Sequence, residues 1–154
     1  MSEMSEWITK FATSHATMHD IIEKIDPMVE IYPGWGIRQI IAHLAGWEEA
    51  SADSLSSFIQ GGTPDVVVLD GDDAYNAESV QKRDSLSLEE TIQDWEEHRN
   101  NLISVLGALA DEQLEARIAH PWGGEDSIAK LLGGLVWHEN HHVKEIQEFL
   151  GPTT

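Results

Sequence analysis

Four long stretches of this chain carry apolar residues three and four positions apart, and none of the four contains a proline. That spacing puts the apolar side chains on one face of an α-helix, so each stretch predicts an amphipathic helix with a buried stripe. The predicted helices extend from about Ser5 to Ile25, from Ile37 to Gln60, from Ser87 to Leu106, and from Asp126 or Ser127 to Leu150. The pattern predicts an all-α fold in which the four stripes pack against one another.

The connection between the second and third helices, Gly61 to Ser87, is much longer than the few residues that usually join helices in a bundle. Such a crossover lets the two helices that it joins run parallel. Within it, a β-branched run predicts an extended segment over Thr63–Asp70, and a short helix is predicted over Asp72–Arg83. The predicted fold class is a four-helix bundle with a long crossover between helices 2 and 3, in a single domain over residues 1–154.

Composition limits the partners and the chemistry. Nine Lys+Arg against 28 Asp+Glu give a formal net charge of −19, which repels nucleic-acid phosphates and anionic lipid surfaces. Nucleic acid and membranes are therefore not expected as partners. The absence of cysteine excludes disulfides, thiolate metal ligands and a cysteine nucleophile on this chain. With no signal-peptide pattern and no apolar run of membrane-spanning length, a soluble cytoplasmic protein is expected.

Three histidines interrupt the buried stripes of two helices. His138 and His142 are one turn apart on the stripe of the last helix, and His43 lies on the inner side of the second helix. At about 1.5 Å per residue, His43 lies about 10 Å into its helix, and the pair lies about 12 to 18 Å from the end of the last one. In antiparallel helices the three imidazoles reach one height. The spacing therefore predicts a three-histidine metal site with an open position.

The same arithmetic brings further side chains to this height, namely His15, Trp47, Trp95 and Arg99. A layer this polar is costly unless it forms a site, so these residues are expected to line a cavity over the metal and contact a cofactor or substrate. Two roles stay open for His15, a hydrogen-bonded core histidine or an additional ligand. Glu48 and Glu139 lie close to the ligands in sequence and are candidates for a general base or for orienting the ligands.

Two segments, Gly36–Glu48 and Trp137–Ile146, resemble the DinB-like (DinB/YfiT) four-helix-bundle superfamily, and the stretch His-Leu-Ala-x-Trp-Glu from His43 resembles its DfsB/ClbS-like branch. The motif of this family combines one histidine on helix 2 with a His-x-x-x-His pair on helix 4, which His43, His138 and His142 match one for one. The resemblance implies a divalent metal, usually zinc or nickel, in a cavity near the bundle centre. A homodimer is compatible with it.

Members of this family include thiol-dependent transferases and isomerases that use mycothiol, bacillithiol or glutathione, and self-protection proteins that open strained electrophilic rings. A chain without cysteine would need a small external thiol, held by the metal as thiolate. The resemblance therefore implies a metal-dependent enzyme, a small-thiol-dependent S-transferase or isomerase acting on small electrophiles. Two alternatives stay open: a hydrolase that activates water with the metal, with Glu48 or Glu139 as base, and a metal- or ligand-binding bundle without catalysis.

Overall fold

The structure of this protein, a computed structural model, describes residues 2–64 and 71–151. Its elements are α1 (Glu3–Lys24), α2 (Ile37–Ile59), α3 (Asp72–Lys82), α4 (Leu88–Gly107), the 3-10 helix Asp111–Glu115, β1 (Arg117–Ala119), β2 (Glu125–Ser127) and α5 (Ile128–Leu150). The four long helices and the short crossover helix are confirmed, with each end within two residues of its predicted position. Of the segment predicted to be extended, residues 65–70 lie outside the described residues.

The crossover makes α2 and α4 parallel, as predicted. Arg38, at the start of α2, donates to the carbonyl oxygen of Leu86 just before α4. Glu48, in the middle of α2, pairs with Arg99 in the middle of α4. The long helices pack mainly as two pairs, α2 on α4 and α1 on α5. Among the described residues, no helix combines the length and the apolar character needed to cross a membrane.

Two apolar clusters fill the two ends of the bundle. The first half of α2, residues 37–45, shares one cluster with Val143 and Ile146 of α5. The second half, residues 47–55, shares the other with residues 128–135 of α5, so α2 and α5 are antiparallel. Between the clusters each long helix contributes a buried polar residue: Ser14, Glu48, Arg99 and Glu139. A polar layer therefore lies at mid-height, next to the three histidines, but of the four further side chains that the sequence predicted for it only Arg99 is among these residues.

The crossover helix α3 packs closely on α2. A Cβ atom at Gly46 would lie 2.3 Å from Oγ of Ser79, so this approach requires glycine. The Tyr75 hydroxyl donates to the carbonyl oxygen of Gly46 at 2.8 Å. Nε1 of Trp47 donates to Oδ1 of Asn76, also at 2.8 Å. These contacts hold α3 beside the middle of α2.

A short antiparallel hairpin leads into α5. Ile118 in β1 pairs with Asp126 in β2, and the turn uses Gly123 and Gly124, which have φ angles of 100° and 81°. The sequence does not predict this hairpin, because three-residue strands are too short to show an alternating pattern. Trp122 in the turn packs against α5, and the strands position this indole next to the helix that carries His138 and His142.

Candidate metal centre

Three imidazole rings from two antiparallel helices meet at mid-height in the bundle. His138 and His142 lie one turn apart on α5, and His43 faces them from α2. Nε2 of His138 lies 2.8 Å from Nε2 of His43 and 3.1 Å from Nε2 of His142. The three nitrogens all lie within 4.8 Å of one another. The structure therefore brings together the three histidines that the sequence singled out.

The geometry of these nitrogens suits a divalent metal ion better than mutual hydrogen bonding. A ring nitrogen either donates or accepts one hydrogen bond, so Nε2 of His138 cannot satisfy both of its neighbours. Around a tetrahedral zinc ion with Zn–N bonds of about 2.0–2.1 Å, ligand nitrogens are about 3.3 Å apart. The separations of 2.8 and 3.1 Å are somewhat shorter, so small shifts of the rings would be enough to admit the ion. A metal between the rings would use all three lone pairs at once.

Burial keeps the three imidazoles neutral. Loss of hydration lowers the pKa of His43 to about 3, that of His138 to about 2 and that of His142 to about 4. Neighbouring histidines lower these pKa values further, because adjacent imidazolium charges repel each other, while Glu145 acts in the opposite direction on His142. At neutral pH each ring offers an unprotonated nitrogen, which is the form that binds a metal.

A tyrosine and a carboxylate orient His142 from outside the histidine group. The hydroxyl of Tyr32 lies 2.9 Å from Nδ1 of His142 and donates to Oε1 of Glu145. With that donation made, the Tyr32 oxygen accepts from Nδ1–H of His142, which leaves Nε2 unprotonated and aimed at the other two histidines. Burial, followed by Glu145, raises the pKa of Tyr32, so the phenol stays protonated. No pattern in the sequence pointed to Tyr32, because its contact with His142 joins residues 110 positions apart.

An open cleft of about 660 Å³ lies beside the three histidines. Its apolar wall comes from α2, the hairpin and α5, and consists of Trp47, Trp122, Leu135 and Trp137. Its polar lining includes Asp72, Asn76, His120, Asp126, Lys130 and His141. The sequence predicted Trp47 in a cavity over the metal but gave Trp122 and Trp137 no place in it, since no local pattern shows that the turn and α5 line the same cleft.

The two glutamates with a predicted catalytic role lie in a buried ion-pair cluster and do not line the cleft. Arg99 donates to both Glu48 and Glu139. Its Nη1 also donates to the carbonyl oxygen of Phe11 at 2.9 Å, and Oγ of Ser14 donates to Glu139 at 2.7 Å. Burial raises the pKa of Glu48, with Arg99 opposing the shift. This cluster ties the four long helices together directly beside the histidines.

His15 on α1 and Trp95 on α4 pack against each other, away from the cleft. The His15 ring is 4.1 Å from the Trp95 ring, measured between centroids, and its Nε2 lies 3.2 Å from Nε2 of His19. None of these residues lines the cleft. Of the four side chains expected to contact a cofactor, the structure therefore places Trp47 in the cleft and His15, Trp95 and Arg99 outside it.

The fold and the three-histidine group define a small helical-bundle protein with a candidate metal site. Residues 29–146 match the model of the DinB superfamily, and the chain belongs to this superfamily. The resemblance seen in the sequence is thereby confirmed at the level of the superfamily.

Two sequence relatives come from Oceanobacillus iheyensis, and both are named as proposed metal-dependent hydrolases. One is 24% identical over 151 residues, which cover 96% of this chain and 85% of the relative. The other is 30% identical over 113 residues, which cover 73% of this chain and 63% of the relative.

The fold is similar to two solved structures of mycothiol-dependent maleylpyruvate isomerase, one of them a histidine-to-alanine mutant. The TM-scores are 0.77 and 0.76 at 14% sequence identity. The match covers 93% of this chain but only 60% of the isomerase chain. At this identity the likeness shows the fold alone.

Proposed function

We propose that this protein is a divalent-metal-dependent enzyme that transfers a low-molecular-weight thiol to a small organic electrophile. One observation supports this proposal: three neutral imidazole rings lie together in the wall of a cleft of about 660 Å³. Three protein ligands leave a coordination position free for a reactant, which is typical of catalytic rather than structural metal sites.

Each part of the site has a distinct task in this proposal. His43, His138 and His142 would hold the metal, and Tyr32 keeps the His142 ring in the binding tautomer. When bound, the metal would supply a thiol in its deprotonated form and polarise the electrophile. The indoles of the cleft wall would bind the organic part of the reactants and exclude water from it.

The position of the carboxylates favours a thiol over water as the nucleophile. Among the described residues, no carboxylate oxygen lies within 4.8 Å of all three histidine nitrogens. We assign Glu48 and Glu139, which pair with Arg99, to positioning the helices and not to proton transfer. A zinc-bound water has a pKa of about 7 and benefits from a base, whereas a coordinated thiol is deprotonated outright. Because the chain lacks cysteine, the thiol must come from outside.

The proposed reaction requires no oxidant or reductant. The thiol releases its proton to solvent on binding. Its sulfur then forms a bond to the electrophilic carbon while the bond from that carbon to its leaving atom breaks. The leaving atom keeps the electron pair and takes a proton from solvent; in a strained ring it stays attached elsewhere in the product. In an activated alkene the π bond opens instead and its electron pair passes to the conjugated carbonyl group; after rotation the carbon–sulfur bond breaks, the double bond forms again and the thiol is released. The fold shared with a mycothiol-dependent isomerase supports this chemistry.

Hydrolysis is the second candidate, and the names of the two Oceanobacillus relatives favour it. In that reaction water would take the place of the thiol. Asp72 and Asp126 line the cleft and could serve as the base through a second water molecule.

The deciding experiment begins with metal analysis of protein purified without a histidine tag, for wild type and for His43→Ala, His138→Ala and His142→Ala. Metal retained by wild type and reduced in every mutant would support the site and identify zinc or nickel. The metal-loaded protein is then incubated with an epoxide or maleylpyruvate, with and without glutathione, bacillithiol or mycothiol. Mass spectrometry measures the masses of the products.

The identity of the product distinguishes thiol transfer from hydrolysis and from binding without catalysis. A thioether, or thiol-dependent isomerisation, that disappears in His43→Ala supports thiol chemistry. A product that has gained water whether or not thiol is present supports the hydrolase. Bound metal with neither product across the panel would contradict the thiol-transfer proposal and leave a binding function.

A further inference from the structure

A second histidine pair faces the groove between α1 and α4. His15 and His19 are one helical turn apart on α1, and Glu96 lies opposite them on α4. Nε2 of His19 lies 3.2 Å from Nε2 of His15 and 2.8 Å from Oε1 of Glu96. The three atoms all lie within 4.8 Å of one another. This cluster shares no residue with the three-histidine group or with the cleft.

Hydrogen bonding alone leaves this second cluster unsatisfied. Nε2 of His19 has either one hydrogen or one lone pair, yet it has two close polar neighbours. If Nε2 of His19 donates its hydrogen to Glu96, it has no lone pair left to accept from Nε2 of His15. A cation between the three atoms would accept both imidazole lone pairs and the carboxylate together.

The surroundings allow a cation to bind. The cluster borders a groove of about 520 Å³, which Asp20 also lines. Trp95 lies against the His15 ring at 4.1 Å and the His19 ring at 5.1 Å between centroids, which limits the movement of both rings. Arg99 also lines the groove, but two buried carboxylates pair with its charge.

We propose that His15, His19 and Glu96 form a second divalent metal site, of the zinc class, that bridges α1 and α4. Two imidazoles and one carboxylate are a ligand set that zinc accepts, and imidazole also suits nickel and copper. His15 and His19 line the groove, so water would be available there as a further ligand. This site is independent of the proposed function, because its three ligands lie on other helices than the catalytic histidines.

The test counts zinc per chain in tag-free protein after equilibration with excess zinc and removal of unbound metal by dialysis against a weak chelator. Wild type should hold two equivalents, and His19→Ala and Glu96→Gln should each hold one. Loss of a ligand should lower the affinity of this site at least about tenfold, because loss of an outer-sphere partner alone costs 10- to 100-fold. Glu97→Gln is the matched control, since it removes the same charge from the next, exposed residue and should keep two.

Variants of the first site separate the two proposals. His43→Ala should keep one equivalent and lose it when combined with His19→Ala. On the His43→Ala background, zinc should raise Tm, since a ligand that binds only the folded state stabilises it, and His19→Ala should abolish the rise. His19 and Glu96 are 35% and 42% exposed, so both variants should fold. One equivalent in wild type, unchanged by His19→Ala, would overturn the second site and leave the first intact.

Discussion

The phenolic oxygen of Tyr32 lies 2.9 Å from Nδ1 of His142, although 110 positions separate the two residues in the chain. The loop before α2 carries the tyrosine, and the last helix carries the histidine. The contact fixes which nitrogen of His142 carries the proton, and Glu145 strengthens it by accepting from the same hydroxyl. A loop residue thus controls how one ligand of the candidate metal centre is presented.

Tyr32→Phe should weaken zinc binding at the three-histidine site by roughly 10- to 100-fold, because it removes the partner of Nδ1 and frees the ring to adopt the other tautomer. Competition with a chromophoric chelator measures this affinity. Tyr75→Phe is the matched control: it also removes a phenolic hydroxyl from a hydrogen bond, but its partner is the backbone of Gly46. Equal zinc affinity in Tyr32→Phe and wild type would show that the hydroxyl does not orient His142.

Arg99→Met should lower the free energy of unfolding by about 3–5 kcal/mol, because it leaves the carboxylates of Glu48 and Glu139 buried without their partner. Urea unfolding of the metal-free protein measures the loss. Adding Glu48→Gln and Glu139→Gln to this variant should recover part of it, since amides carry no charge to bury.

The exposed Arg117 provides the control for this variant. Its side chain is 61% exposed and pairs with carboxylates at the surface, so Arg117→Met should change stability little. A similar effect of the two arginine substitutions would mean that the buried cluster contributes no more than a surface pair.

The metal-free protein should lose stability as the pH falls from about 7 to about 4. Histidines of the unfolded chain take up protons near pH 6.5, whereas burial lowers the pKa of His15, His43, His138 and His142 to about 4 or below. Between these values the unfolded state binds more protons, so acid favours it. The raised pKa values of Glu48 and Asp53 act in the opposite direction and the lowered pKa of Glu49 acts in the same direction, so the four histidines outweigh the carboxyls.

Urea unfolding at several pH values measures how the free energy of unfolding changes with pH. His15→Gln should reduce this dependence, because the variant lacks one of the groups that take up a proton in the unfolded state but not in the folded state. His141→Gln is the control, since its ring lies 42% exposed at the edge of the cleft. Stability that is constant or rises toward pH 4 would contradict the burial of neutral imidazoles.

The helices and the histidine group could be predicted because both depend on local spacing. Apolar periodicity and the caps at Ser87 and Ser127 define helix ends within the sequence itself. His138 and His142 are four positions apart, so one helical turn brings them to the same face of α5. His43 follows from its height in an antiparallel helix, which the structure confirms.

The neighbours of the histidines could not be predicted, because height along a bundle does not say which helices are adjacent. His15 has the height of His43, but α1 packs mainly on α5, and its histidine faces α4 instead of α2. Glu48 and Glu139 follow ligands closely in sequence, yet each points to Arg99. The direction of a side chain around its helix decides these contacts, and it depends on the packing of all four helices.

Gly46→Ala should destabilise the protein by about 1–3 kcal/mol, although alanine is the better helix former. The new Cβ would lie 2.3 Å from Oγ and 2.6 Å from Cβ of Ser79, so α3 must move away from α2. That movement would also disturb the bond from Trp47 to Asn76 in the cleft wall. Thermal and urea unfolding measure the stability, and tryptophan fluorescence detects a change in the environment of Trp47 in the cleft wall.

Gly107→Ala is the control for this change, because a Cβ atom at this last residue of α4 would meet no neighbouring heavy atom of the described residues within 4 Å. It should be neutral or stabilise the protein by up to about 1 kcal/mol, through helix propensity alone. If both substitutions stabilised the protein equally, α3 would not be held against α2 at Ser79. The crossover helix would then be free to leave the cleft wall, and the indole of Trp47 would lack its fixed position beside the three histidines.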